Sequence, residues 1–183
     1  MARTRLEEVS SQRDALVKLA QIIRKGSIDS RIVQAARAIT RGVSARDDDG
    51  ELAAIFDAVK NGTDRVRWLS DGVRYVADPY SYDTYTTVNA MIEQCANGAC
   101  AGDCDDMTIL IGSLAAALGF KVGARAWGEG RSGDYSHVYA VAAVPKNGPW
   151  PSDYYGTALD PTMPNSYVGW EPSGGHILTA WIE

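Results

Sequence analysis

Apolar residues recur at near-helical spacing through the first part of the chain. Leu6, Val9, Leu16, Leu19, Ala20 and Ile23 form one such series, and Gly26 offers a stop. Ile32, Val33, Ala36 and Ile39 form a second, over 28–39 and ending near Gly42. Asp47, Asp48, Asp49 and Gly50 read as a polar turn that caps a third helix, Glu51 to Lys60, and Asn61 and Gly62 end it. Thr63 caps a short helix through Val66 and Leu69. Residues 79–100, rich in Tyr, Thr, Asn and Gly, predict a loop with a short helix around Val88 to Gln94. A strongly apolar helix follows from Asp103 to about Leu118, with Gly119 placed to end it; Met107, Leu110, Ile111, Leu114 and Leu118 define its core face.

Beyond Gly119 the pattern changes to short β-compatible runs separated by Gly, Pro, Asp and Ser. Lys121 to Trp127, Ser136 to Val144, Gly156 to Leu159 and Ile177 to Ile182 are the expected strands. Helices followed by strands predict an α+β fold with an antiparallel sheet. Trp127, Trp150, Trp170 and Trp181 are expected as core and sheet packing. Gly128 to Asp134 is a loop beside the second strand that either borders a cleft or merely connects strands.

Composition narrows the classes of function. Hydrophobic residues make up 45% of the 183, enough to bury a core without staples, and 22% charged residues argue against general disorder. The net charge is −5, and no Lys/Arg run exceeds two, so the basic footprint of a nucleic-acid binder is missing and no nucleic-acid partner is expected. The start lacks a signal-peptide core, and the longest nearly apolar stretch, Met107 to Phe120, is too short for a bilayer. The expectation is a soluble protein without a membrane partner, either cytoplasmic or released from a cell that made it in the cytoplasm, for instance in association with a virion. Cys95, Cys100 and Cys104 are an odd set with no export signal, which argues against a disulfide framework. Their spacing also lacks the paired ligands of a zinc site, and Asp47 to Asp49 lack the spacing of a calcium loop, so no metal and no cofactor is expected.

The candidate chemistry lies in Gly102-Asp103-Cys104-Asp105-Asp106. Asp103 is a suitable N-cap, which puts Cys104 at the first helical position. There, unpaired N–H groups and the positive dipole end favour a thiolate and lower a thiol's pKa, and the same N–H groups can donate to an oxyanion. Asp103, Asp105 and Asp106 oppose that charge, so a protonated histidine is needed close by. Of His137 and His176, His137 is the better base, because it opens a strand run and shares a face with Tyr139 and Val141. Asp160, at the end of the run Thr157 to Asp160, can hold the imidazole tautomer. Each residue alone has a plainer reading: an inert core cysteine, a structural histidine, an Asp-Pro turn, and first-turn acids that complement a helix dipole.

Taken together, Gly102-Asp103-Cys104-Asp105-Asp106, Ala115 to Gly119, His137-Val138-Tyr139 and Leu159-Asp160-Pro161-Thr162 resemble the transglutaminase-like superfamily. Val73 to Pro79 is similar to that family's lead-in segment, and Gly169-Trp170-Glu171 to the tail of its small phage and prophage members. The resemblance covers about residues 51–172. It implies a papain-like core, with Cys104 on a helix packed on the antiparallel sheet and His137 and Asp160 on adjacent strands. Residues 51–183 would be the catalytic domain and 1–50 an N-terminal helical extension. It further implies acyl transfer from an amide or ester, with a protein or peptide as substrate, Cys104 as nucleophile, His137 as base and Asp160 as its orienter. Gln94 and Asn97 are candidates for a second oxyanion donor. Because the family includes catalytically silent scaffolds, the alternative is a structural or binding component, for instance of a phage particle.

Overall fold

The computed structural model describes residues 12–77, 85–129, 135–152 and 154–182. The first turns expected from Leu6 and Val9, the end of the lead-in segment at Pro79 and most of the Gly128 to Asp134 loop lie outside these. The architecture is α+β; among the described residues it has five α-helices, a four-stranded antiparallel sheet and a small parallel pair.

Three helices come first: α1 (Gln12–Ser27), α2 (Ser30–Ile39) and α3 (Asp48–Asn61). Asp29 and Asp47 cap the second and third by accepting backbone N–H bonds, so α3 begins at Asp48, three residues before the expected Glu51. Helix α1 runs through Gly26 instead of stopping there. Gly26 serves close packing: a Cβ at that position would lie 2.3 Å from Ser113 Oγ and 2.5 Å from Val88 Cγ2. Ser113 Oγ in turn donates to Ile23 O at 3.2 Å, which joins α1 to the central helix. The helix expected after Thr63 is a single 3-10 turn, Arg67–Leu69.

Helix α4 (Val88–Ala96) leads to β2 (Ala101–Gly102), which pairs in parallel with β1 (Arg74–Tyr75). Two expectations are corrected here. The short parallel pair was not foreseen, because two-residue strands carry no alternation to read. Cys95 and Cys100, expected as unbridged, are joined in a disulfide. Cys95 lies in the last turn of α4, Gly98 turns the chain back at φ 77°, and Cys100 arrives beside it, so local geometry forms one bridge without any wider framework. Cys104 is left as the free cysteine.

Helix α5 (Cys104–Ala117) is the centre of the molecule. The sequence predicts one core-facing stripe, but residues 105–115 are buried without interruption. A helix apolar on nearly every side belongs inside a fold, and this one is covered by α1, α2, α3, α4 and the sheet. Ile109, Leu110, Ile111 and Leu114 are fully buried, each contributing about 1.5–3 kcal/mol relative to exposure. Leu16, Leu19, Ile23, Ile32 and Ile39 belong to the same continuous core as α5, so the N-terminal helices share their packing with the rest of the chain.

The sheet comprises β3 (Val122–Gly128), β4 (His137–Ala142), β5 (Thr157–Leu159) and β6 (His176–Trp181), in the order β5-β4-β3-β6. Ala124, Ala126, Ala140, Ala142 and Ala180 lie on the face that joins the α5 core, where small side chains admit the helix closely. Tyr139, Val141 and Ala158 pack with Trp127 and Trp181 on the other face. Trp150 departs from the expected packing role; it is 52% exposed, with the Lys121 ammonium above its ring. No helix among the described residues is long and apolar enough to cross a membrane.

Candidate active site

Asp103 caps α5 as expected, its carboxylate accepting the Asp106 N–H, and Cys104 is the first helical residue. Thr108, one turn on, ties this end of the helix to β4. Its hydroxyl lies 2.6 Å from Cys104 O and 3.2 Å from Val138 O, the residue after His137. Asp106 accepts the Thr86 N–H at 2.7 Å and so anchors the segment entering α4.

His137 opens β4 and Asp160 follows β5. Because Ala140 stands opposite Leu159, the next residue, Asp160, falls beside Tyr139 and within reach of the imidazole. The His137 Nε2 to Asp160 Oδ2 distance is 2.7 Å. Asp160 is fully buried, and its other oxygen accepts both the Thr162 N–H (3.1 Å) and the Thr162 hydroxyl (2.6 Å). Lys60 secures the loop that follows, its ammonium donating to Met163 O, Ser166 O and Ser166 Oγ. Behind His137 the Tyr139 ring stands 5.8 Å away, with its hydroxyl donating to Glu171. The buried Arg125 holds Glu171 from the neighbouring strand.

Cys104 and His137 border one pocket of about 470 Å³, together with Asp105, Tyr85, Tyr135 and the start of α1. Cys104 and His137 thus border the same pocket, and Asp160 stands behind the imidazole, paired with it. Among the described residues no hydrogen bond joins the thiol to the imidazole. The helix start was expected to lower the thiol's pKa. Instead burial, reinforced by the carboxylates of Asp105 and Asp103, pushes it up to about 12. The backbone N–H groups of Val138 and Asp105 pull the other way and are outweighed.

Burial also raises Asp105, with a hydrogen bond to Asp103 and the charges of Asp103 and Asp106 adding to it, to about 10. Asp105 therefore carries its proton at neutral pH and donates to Asp103, which leaves less negative charge beside the sulfur than three aspartates suggest. Folding holds a proton here that the unfolded chain releases near pH 4. The resulting stabilisation is complete below about pH 4 and is lost as pH climbs through about 10. The melting temperature should accordingly fall between pH 5 and pH 9, and fall less in Asp105→Asn; each 1 kcal/mol lost corresponds to about 2–4 °C in a chain of this size. Parallel melting curves in the two proteins across that range would contradict the shared proton.

The other expectations fare unevenly. Asn97 caps the end of α4 and spends its amide on Glu93 O, and neither it nor Gln94 borders the pocket. The sulfur's backbone partners are the N–H groups of Asp105 and Val138. His176 opens β6 and packs edge-on against Tyr135, 4.7 Å away. Thr108, Thr162 and Lys60 were missed as supports. Thr108 was readable, since it lies four residues after Cys104 on one helix face. Tyr75, opposite Gly102, was missed as well; burial and then the charges of Cys104, Asp103, Asp105 and Asp160 raise its pKa. Among the described residues no group of three His, Cys, Asp or Glu side chains could hold a metal ion.

No protein-family model, no curated protein and no solved structure matches the chain. The functional reading therefore rests on the residues and their geometry.

Proposed function

We propose that this chain is a cysteine hydrolase or acyltransferase of the transglutaminase-like type, built on a papain-like core and acting on an amide or ester of a protein or peptide. The observation that carries the reading is the 2.7 Å contact between a fully buried Asp160 and Nε2 of His137, which borders the same pocket as Cys104. With Nε2–H donating to the carboxylate, Nδ1 keeps its lone pair and can take the thiol proton. Sulfur then bonds to the acyl carbon while the imidazolium returns the proton to the departing amine or alcohol. Water or a second amine attacks the thioester in turn, gives a proton to His137, and Cys104 leaves as the thiol. The Asp105 and Val138 N–H groups, which act on the sulfur, would donate to the oxyanion formed in each attack.

A second reading, a catalytically silent fold serving as a structural or binding component, for instance of a phage particle, draws on two observations. The thiol is strongly disfavoured as an anion, and it makes no hydrogen bond to the imidazole. Trapping the acyl-enzyme separates the two readings. Because Cys95 and Cys100 are bridged, a thioester can form only at Cys104, so mass spectrometry of the intact chain after a brief exposure to an activated ester should show one acyl group, mapped to the peptide containing Cys104. A chain that stays unmodified at neutral pH would favour the silent component.

A further inference from the structure

The pocket beside Cys104 has a wall that the catalytic residues do not use. Gln12, Ala15, Leu16 and Leu19 of α1 line it, spaced so that all four fall on one helix face. Ala126 and Val138 of the sheet add apolar surface, while Gln12, Ser136, Tyr85 and Tyr135 contribute polar groups, so the lining mixes the two. Among its described lining residues there is no Lys or Arg. Among the described residues, apart from Cys104, His137 and the tyrosines, Asp105 is the one ionisable residue there, and its proton is shared with Asp103. A volume of about 470 Å³ lies within the range of sites that enclose a small ligand group. Leu16 and Leu19, 4% and 2% exposed, are held by the core on their other side, so the wall is rigid.

We infer that α1 is the specificity wall of this site and that the pocket receives an uncharged acyl group whose aliphatic part lies along α1. The inference rests on the acyl-transfer reading above. A charged acyl group would surrender its hydration and find no Lys or Arg among the described residues of these walls, whereas an aliphatic one replaces water along the α1 stripe. Helix α1 would thus do more than brace α5, since its first described turn sets which acyl donors reach the sulfur.

The test uses the full chain and three p-nitrophenyl esters: acetate, hexanoate and hemisuccinate. The wild type should acylate Cys104 from hexanoate at least about tenfold faster than from acetate, with hemisuccinate slowest. Ala15→Trp fills the half-buried middle of the α1 face and should lower the hexanoate-to-acetate preference by about tenfold. Gln12→Trp, at the exposed end of the same face, should lower it in the same direction and is the variant to rely on if Ala15→Trp fails to fold. Circular dichroism reports folding, and iodoacetamide labelling reports whether Cys104 stays reachable. Acylation with an unchanged preference in a folded variant overturns the role of α1. Hemisuccinate matching hexanoate overturns the uncharged-acyl assignment. A wild type that labels with iodoacetamide yet accepts no acyl group from any ester rejects the acyl-transfer reading itself, and the inference with it.

Discussion

Replacing Asp160 with Asn is expected to slow acylation of Cys104 by about three to four orders of magnitude while leaving the chain folded. The two side chains are nearly the same size, so the loss comes from hydrogen-bond polarity. One Asp160 oxygen accepts from the Thr162 N–H and hydroxyl, and the other faces His137 Nε2. An asparagine must point its carbonyl at one of these and its NH2 at the other. Thr162 decides the outcome, because its backbone N–H can only donate and so holds the carbonyl. The amide NH2 is then presented to Nε2, which must accept, and the ring proton moves to Nδ1. That nitrogen is the one required to take the thiol proton. Steady-state rates on an activated ester, with circular dichroism alongside, measure the effect. A folded Asp160→Asn protein retaining more than a tenth of wild-type activity would show that the carboxylate does not set the tautomer.

The parts of this arrangement that were legible in the sequence are those fixed by local chemistry. Asp103 reads as an N-cap, and the capped helix begins at Cys104. The alternation through His137, Tyr139 and Val141 reads as a strand, and β4 begins at His137. Strand order, by contrast, depends on which edges pair, and nothing local to Thr157 to Asp160 indicates that β5 lies beside β4. The sign of the thiol's pKa shift was misjudged for a related reason. The N–H groups of a helix start can be read from one segment, but burial of Cys104 depends on α1 and the sheet closing over it, and burial is the larger effect here. The disulfide was hidden differently. An odd cysteine count argues against a framework, yet a single turn at Gly98 suffices to bring Cys95 and Cys100 together. Lys60, far from Asp160 in sequence, reaches Met163 and Ser166 only because α3 packs against the core.

His137→Ala should convert Cys104 from a base-assisted nucleophile into an ordinary buried thiol, and pH is the variable that exposes the difference. With a pKa of about 12, roughly one thiol in 10⁵ is ionised at pH 7. Without the imidazole, only that fraction attacks, so the acylation rate of His137→Ala should climb about tenfold per pH unit from 7 to 10. The wild type removes the proton in the course of attack and should exceed the variant by about 10²–10⁴ at pH 7. Its own rate need not follow the free thiolate, so the gap should narrow by orders of magnitude as pH approaches 10. The same shift also sets the upper limit of the measurement. The folded chain keeps a thiol proton that the unfolded chain loses near pH 8.5, so the contribution of Cys104 to stability falls as pH rises from there towards 12. Rates must therefore be read on protein shown to be folded at each pH. If wild type and His137→Ala acylate equally at pH 7 and rise together, the imidazole takes no part in activating the sulfur, and Cys104 is the quiescent buried thiol of the silent-component reading.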